Sequence, residues 1–122
     1  MASKQILNVY VLGDAAIAGD MPKSAFSATN QARICARAIA SEILKTPLEK
    51  PLYHNVCYSL ISPNYGISIS AAYRRDYDDP WIRLIPEKTG VTPLNSDSWI
   101  YRAESRQALD TFDRIVASKF RK

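Results

Sequence analysis

An α+β fold is what this 122-residue sequence predicts, and three observations carry the prediction. A nearly continuous apolar run opens the chain, an alanine-rich helical pattern follows, and strand-like segments then give way to a second helical pattern. The expected architecture is one parallel-type strand and its helix, followed by a small antiparallel sheet and a C-terminal helix.

The opening run is Ile6-Leu7-Asn8-Val9-Tyr10-Val11-Leu12. Its β-branched and aromatic residues read as a strand buried on both faces, the kind found in parallel sheets. It stops at Gly13-Asp14, and the loop from Ala15 to Lys23 holds the turn formers Gly19, Asp20 and Pro22. From Ser24 to Lys45, Ala28, Ala32, Cys35, Ile39 and Ile43 recur at helical spacing. Ser24 suits the cap, Lys45 suits the negative end of the dipole, and Pro47 ends the helix.

After a linker bracketed by Pro47 and Pro51, Tyr53–Ile61 and Gly66–Arg74 read as strands joined by a turn over residues 62–66. Ile67, Ile69 and Ala71 alternate with Ser68, Ser70 and Ala72, which predicts an antiparallel strand with one wetter face. Asp76-Tyr77-Asp78-Asp79-Pro80 reads as a turn, Trp81–Ile85 as a short strand, and the stretch to Pro93 as a loop. The last helix is expected over Ala103–Phe120, with Leu109, Phe112, Val116 and Phe120 as its apolar stripe. A lone parallel-type strand, with no second strand–helix–strand unit beside it, leads us to expect a piece of something longer.

Composition narrows the function classes. The apolar fraction of 47% is that of a globular protein, and no apolar run approaches the length of a membrane span. No secretory signal opens the sequence. Net charge is +4, from 16 basic and 12 acidic residues. That excess is spread thinly, apart from the basic end of the chain. A nucleic-acid binder concentrates its basic residues, and Trp81, Trp99 and Tyr101 lack basic interleaving, so they read as core or interface anchors. Metal-ligand spacing, a Walker loop, a G-x-G-x-x-G fingerprint and a hydrolase triad are all absent.

Three places carry chemistry. Gly13-Asp14 is either a simple strand-ending turn or a close backbone approach to a ligand whose hydroxyls Asp14 accepts. Met21-Pro22-Lys23-Ser24-Ala25, at a helix start, is either a plain cap or a seat for an anionic or electron-rich atom. Cys57 is either an inert buried thiol or a redox or nucleophilic one. His54, three positions earlier on a strand, faces the other side, which argues against a local Cys57–His54 pair. Cys35, in the alanine stripe, reads as inert.

In order along the chain stand Val11-Leu12-Gly13-Asp14-Ala15-Ala16-Ile17-Ala18, Met21 to Ala28, and Asn55-Val56-Cys57-Tyr58-Ser59-Leu60-Ile61-Ser62-Pro63-Asn64-Tyr65-Gly66-Ile67-Ser68. This set resembles the C-terminal part of the flavin subunit of flavocytochrome c sulfide dehydrogenases. The likeness continues through Ala71-Ala72-Tyr73-Arg74 and Gly90-Val91-Thr92-Pro93.

The resemblance implies that residues 1–46 are the closing strand, loop and helix of an FAD-binding domain. Residues 47–122 are then a C-terminal flavin-binding and interface domain. It assigns Gly13 and Asp14 to the FAD ribityl chain, and Pro22, Lys23, Ser24 and Ala25 to the pyrimidine edge of the ring. Cys57 matches one of two cysteines of a redox-active disulfide. Hydrosulfide attacks that disulfide, a persulfide forms on one sulfur, and the released thiolate passes its electrons to FAD. They continue singly to haem c on a cytochrome subunit.

The implied setting is periplasmic, with sulfide as substrate and the N-terminal FAD-binding region as a further partner. Nucleic acid, metal and a membrane span have no place in it. Two departures stand out. The nucleotide fingerprint and the second cysteine are not in this sequence, Cys35 being no replacement. The aromatic expected near the flavin in the last helix is shifted or lost around Thr111-Phe112. We therefore expect the 122 residues alone to be inactive, and carry as the alternative a non-catalytic module that dimerises.

Overall fold

The computed structural model describes residues 6–78 and 83–120. Helix α1 spans Ala25–Leu44. Ser24 caps it with extended backbone, its Oγ accepting the Ser27 N–H at 3.0 Å. The helix ends at Lys45, left-handed at φ 55°, and the Thr46 N–H returns to the Ser41 carbonyl at 3.1 Å.

Three strands follow: β1 (Tyr53–Ser62), β2 (Tyr65–Arg75) and β3 (Leu84–Val91). They form an antiparallel sheet in the order β1-β2-β3. The β1–β2 turn is tighter than expected, only Pro63-Asn64, where proline presets the turn's first φ. Strand β3 runs through Pro86 and Gly90, in the stretch expected to be a loop. It is an edge strand, and there a missing proline N–H removes no obligatory ladder bond. Trp81 lies outside the described residues. Helix α2 spans Ser98–Phe120 and so begins before the expected Ala103.

The expected parallel strand is corrected by the structure. Residues 6–12 turn at Asn8, which has φ 60°, and only Tyr10 forms an isolated bridge. Ile6, Leu7, Val9 and Val11 are exposed. Strand propensity becomes a strand only where a neighbour supplies the ladder. Among the described residues the three sheet strands are antiparallel, and no parallel strand is seen. The alternation in β2 also resolves less cleanly than expected, since Ile69 is exposed while Ser68 and Ser70 are half-buried.

By contacts the chain divides into two compact units, residues 1–55 with 71–88, and residues 56–70 with 89–122. The first has the apolar core: Ala18, Met21, Tyr53, Tyr73 and Leu84, with Ile34 and Ala71 packed against it. Full burial of a leucine such as Leu84 contributes about 2 kcal/mol. Gly19, at φ 64°, lies so close to Leu84 that a Cβ there would stand 2.5 Å from the Leu84 nitrogen.

The second unit is held differently. Gly66 faces α2, where an added Cβ would stand 2.6 Å from the Ser105 nitrogen. Buried Ser105 donates its hydroxyl to the Pro63 carbonyl at 2.7 Å. The Thr92 hydroxyl accepts the Ser68 N–H at 2.8 Å and donates to Glu104 Oε1 at 3.2 Å. Tyr65 and Tyr101 stack, with centroids 4.3 Å apart.

Candidate functional site

The first unit gathers the residues singled out at the start of the chain. Gly13 opens a short 3-10 turn, Gly13–Ala15, at φ 65°. A Cβ there would sit 3.2 Å from the Ala28 Cβ, so glycine brings the turn close to α1. The Gly13 N–H donates to Gln31 Oε1 at 2.8 Å, and Gln31 Nε2 reaches the Met21 sulfur at 3.5 Å. Buried Gln31 thus fixes both ends of the intervening loop to one turn of helix.

Lys23 closes the same loop from outside, its Nζ donating to the Asp14 carbonyl at 2.7 Å. The helix start is anchored to β1 through Asn55. Its Oδ1 accepts the hydroxyls of Ser24 at 2.7 Å and Ser27 at 2.8 Å. Ser24 therefore serves as cap and as anchor at once. In the first turn of α1, the amides of Ala25 and Phe26 are among those for which the helix itself supplies no acceptor.

A cavity of about 100 Å³ lies here, walled in part by Gly13, Asp14, Pro22, Lys23 and Gln31. That is below the roughly 300 Å³ at which whole-ligand pockets begin. What the arrangement offers is donation: open helix amides, the dipole's positive end and the Lys23 ammonium. The residues fit the electron-rich edge of a flavin in this respect. The exposed Asp14 carboxylate offers acceptors for a polyol chain.

Cys57 belongs to the other unit and is half-buried on β1. It stands two positions beyond Asn55, and strand alternation puts both on the same face of β1. His54 points the other way and is exposed, its backbone N–H donating to Asn30 Oδ1 at 3.0 Å. Cys35 is buried on α1, and the two cysteines are thiols that are not joined to each other. Of the expected aromatic anchors, Tyr101 is stacked, whereas Trp99 is exposed and donates to Asp97 Oδ2 at 3.3 Å.

Two residues that organise the site had no separate signal in the sequence. Gln31 reads as one polar position on the helix, and Asn55 as one polar position on a strand. Only an asparagine or glutamine at a core-facing register position would have hinted at them. Among the described residues no group of three metal-ligating side chains occurs, and no helix is long and apolar enough to cross a membrane.

The fold is α+β, and the start of its first helix is capped by Ser24 and anchored to β1 through Asn55. A family model described as flavocytochrome c sulphide dehydrogenase, flavin-binding, matches residues 49–120, and the chain belongs to that family. The family is flavin-binding and its enzyme is an FAD-dependent sulfide dehydrogenase. The match takes in all three strands, α2 and Cys57; residues 13–25 precede it.

Proposed function

We propose that the chain is the C-terminal, flavin-adjacent part of a sulfide dehydrogenase that delivers electrons to haem c on a cytochrome subunit in the periplasm. The observation that carries this reading is the family match over residues 49–120. The open amides at the start of α1 add to it. In this proposal residues 1–46 complete an FAD-binding domain and residues 47–122 form the C-terminal domain.

Gly13 and Asp14 would hold the ribityl chain, and Pro22, Lys23, Ser24 and Ala25 would border the pyrimidine edge. Bound flavin supplies a two-electron acceptor that can pass electrons on singly. The Ala25 and Phe26 amides, with Lys23, would stabilise negative charge at that edge. Ser24 contributes by fixing the helix start, since its hydroxyl is committed to Asn55. Cys57 provides one of the two sulfurs that hydrosulfide meets. Its partner sulfur comes from the N-terminal FAD-binding region, because Cys35 lies buried on α1.

Titration of the 122-residue chain with FAD, followed by desalting, tests the division of labour. We expect the flavin to be lost from this chain and retained by a longer protein that includes the N-terminal region. In that longer protein, Cys57→Ser should abolish sulfide oxidation and spare flavin retention. Undiminished turnover would remove Cys57 from the mechanism.

A second reading, a module that dimerises without catalysis, is favoured by one observation. Leu109, Phe112 and Phe120 on α2 are all exposed. Light scattering across a concentration series decides it: a strict monomer rules the module out.

A further inference from the structure

The first unit holds a second, larger cavity of about 550 Å³. It is bounded by Tyr10, by α1 from Gln31 onward, by the linker, and by the ends of β1 and β2 that belong to this unit, and Gln31 also borders the smaller cavity. Its size lies within the roughly 300–1,000 Å³ of small-molecule sites. Ile34, Ala38 and Leu48 give it apolar wall, and Tyr53 and Tyr77 give it aromatic surface.

Its charges are uneven. Lys45, Lys50 and Arg75 line it against Glu42 and Glu49, one net positive charge. Glu42 is engaged already, its Oε2 accepting the Tyr10 hydroxyl at 3.1 Å. Lys50 Nζ and the Arg75 guanidinium lie 5.3 and 4.8 Å from the centroid of the Tyr77 ring. The Arg75 Nε is buried and has no hydrogen-bond acceptor among the described residues. A buried, charged donor left unmade is costly, and its natural complement is an oxyanion that accepts from the guanidinium fork. Burial holds the Tyr53 hydroxyl above its ordinary pKa, although Arg75 opposes this, so it stays neutral at physiological pH.

The geometry points to a second binding site in this cavity, for a small organic monocarboxylate with a flat apolar body, anchored by Arg75. One negative charge balances the single excess cation, and the guanidinium meets a carboxylate with parallel donors. The aliphatic wall and the two tyrosines take the body. Its anchor Arg75 and its apolar wall are not residues of the proposed flavin cradle, although Gln31 borders both cavities.

Calorimetric titration of the full 122-residue chain with 2-naphthoate tests it. Saturable one-to-one binding is expected, with 2-naphthalenemethanol at least about tenfold weaker because it lacks the charge. Arg75→Met should weaken naphthoate at least about tenfold and Arg75→Lys less, each checked for native circular dichroism. Ala38→Phe fills the cavity from the helix side and should abolish binding, which keeps the test open if Arg75→Met does not fold. Free FAD should not displace naphthoate; displacement would merge the two sites and overturn the proposal. Absence of saturable naphthoate binding would also overturn it, as would equal binding of the alcohol. Tighter binding of 2-naphthyl phosphate would overturn the carboxylate assignment.

Discussion

Helices α1 and α2 both carry an apolar stripe in sequence, yet they are packed to different degrees. Helix α1 buries Ser27, Gln31 and Cys35, and directional bonds from Asn55 and Gln31 fix its N-terminal half. Helix α2 buries only Ser105 and leaves Leu109, Phe112 and Phe120 exposed. What seats it is a close backbone approach at Gly66, which has no side chain, together with the bonds of Ser105 to Pro63 and of Thr92 to Glu104. Periodicity identifies a helix's apolar face; it does not say whether anything covers that face.

The largest effect should come from breaking the backbone approach. Gly66→Val places atoms where the Ser105 backbone stands, and should cost about 3 kcal/mol or more in urea unfolding. An unchanged midpoint would mean that α2 is not seated there. Breaking the polar anchor of α1 should cost less. Asn55→Ala leaves the Ser24 and Ser27 hydroxyls without that acceptor, a loss of about 2 kcal/mol by the same measurement. Ser24→Ala removes cap and anchor together on one side only, for about 1 kcal/mol.

A smaller, pH-dependent effect belongs to the core of the first unit. Tyr53 is held above its ordinary pKa near 10, chiefly by burial, so folding favours its neutral form. Its stabilisation is present below the unfolded pKa and is lost as pH rises through the folded one. Thermal midpoints should therefore fall above about pH 10, and less steeply in Tyr53→Phe. Smallest of all should be Phe112→Ser on the exposed stripe of α2, within about 0.5 kcal/mol of wild type. A large destabilisation there would show that the stripe is covered after all.

Much of the fold was legible. Helix α1 matches its expectation to within a residue because Ser24, Lys45 and Pro47 are local signals that act where they stand. The hairpin followed from alternation around Pro63-Asn64. Strand β3 runs past the end of the strand expected at residues 81–85 because Pro86 and Gly90 break strands less readily at a sheet edge, and edges are not written locally. In the candidate site, Gly13, Asp14, Pro22, Lys23 and Ser24 carry signals in the sequence, and the structure places them near the start of α1. Their organisers, Gln31 and Asn55, were not.

By itself the sequence determined the α+β order, the caps, the turn residues and the family, since each rests on residues close together or on an ordered motif. Tertiary structure decided the rest. It denied residues 6–12 a strand, because a ladder needs a neighbour that local propensity cannot supply. It joined Asn55 to Ser24 and Ser27, and left α2's stripe exposed, because pairings across many residues are settled by packing and not by pattern.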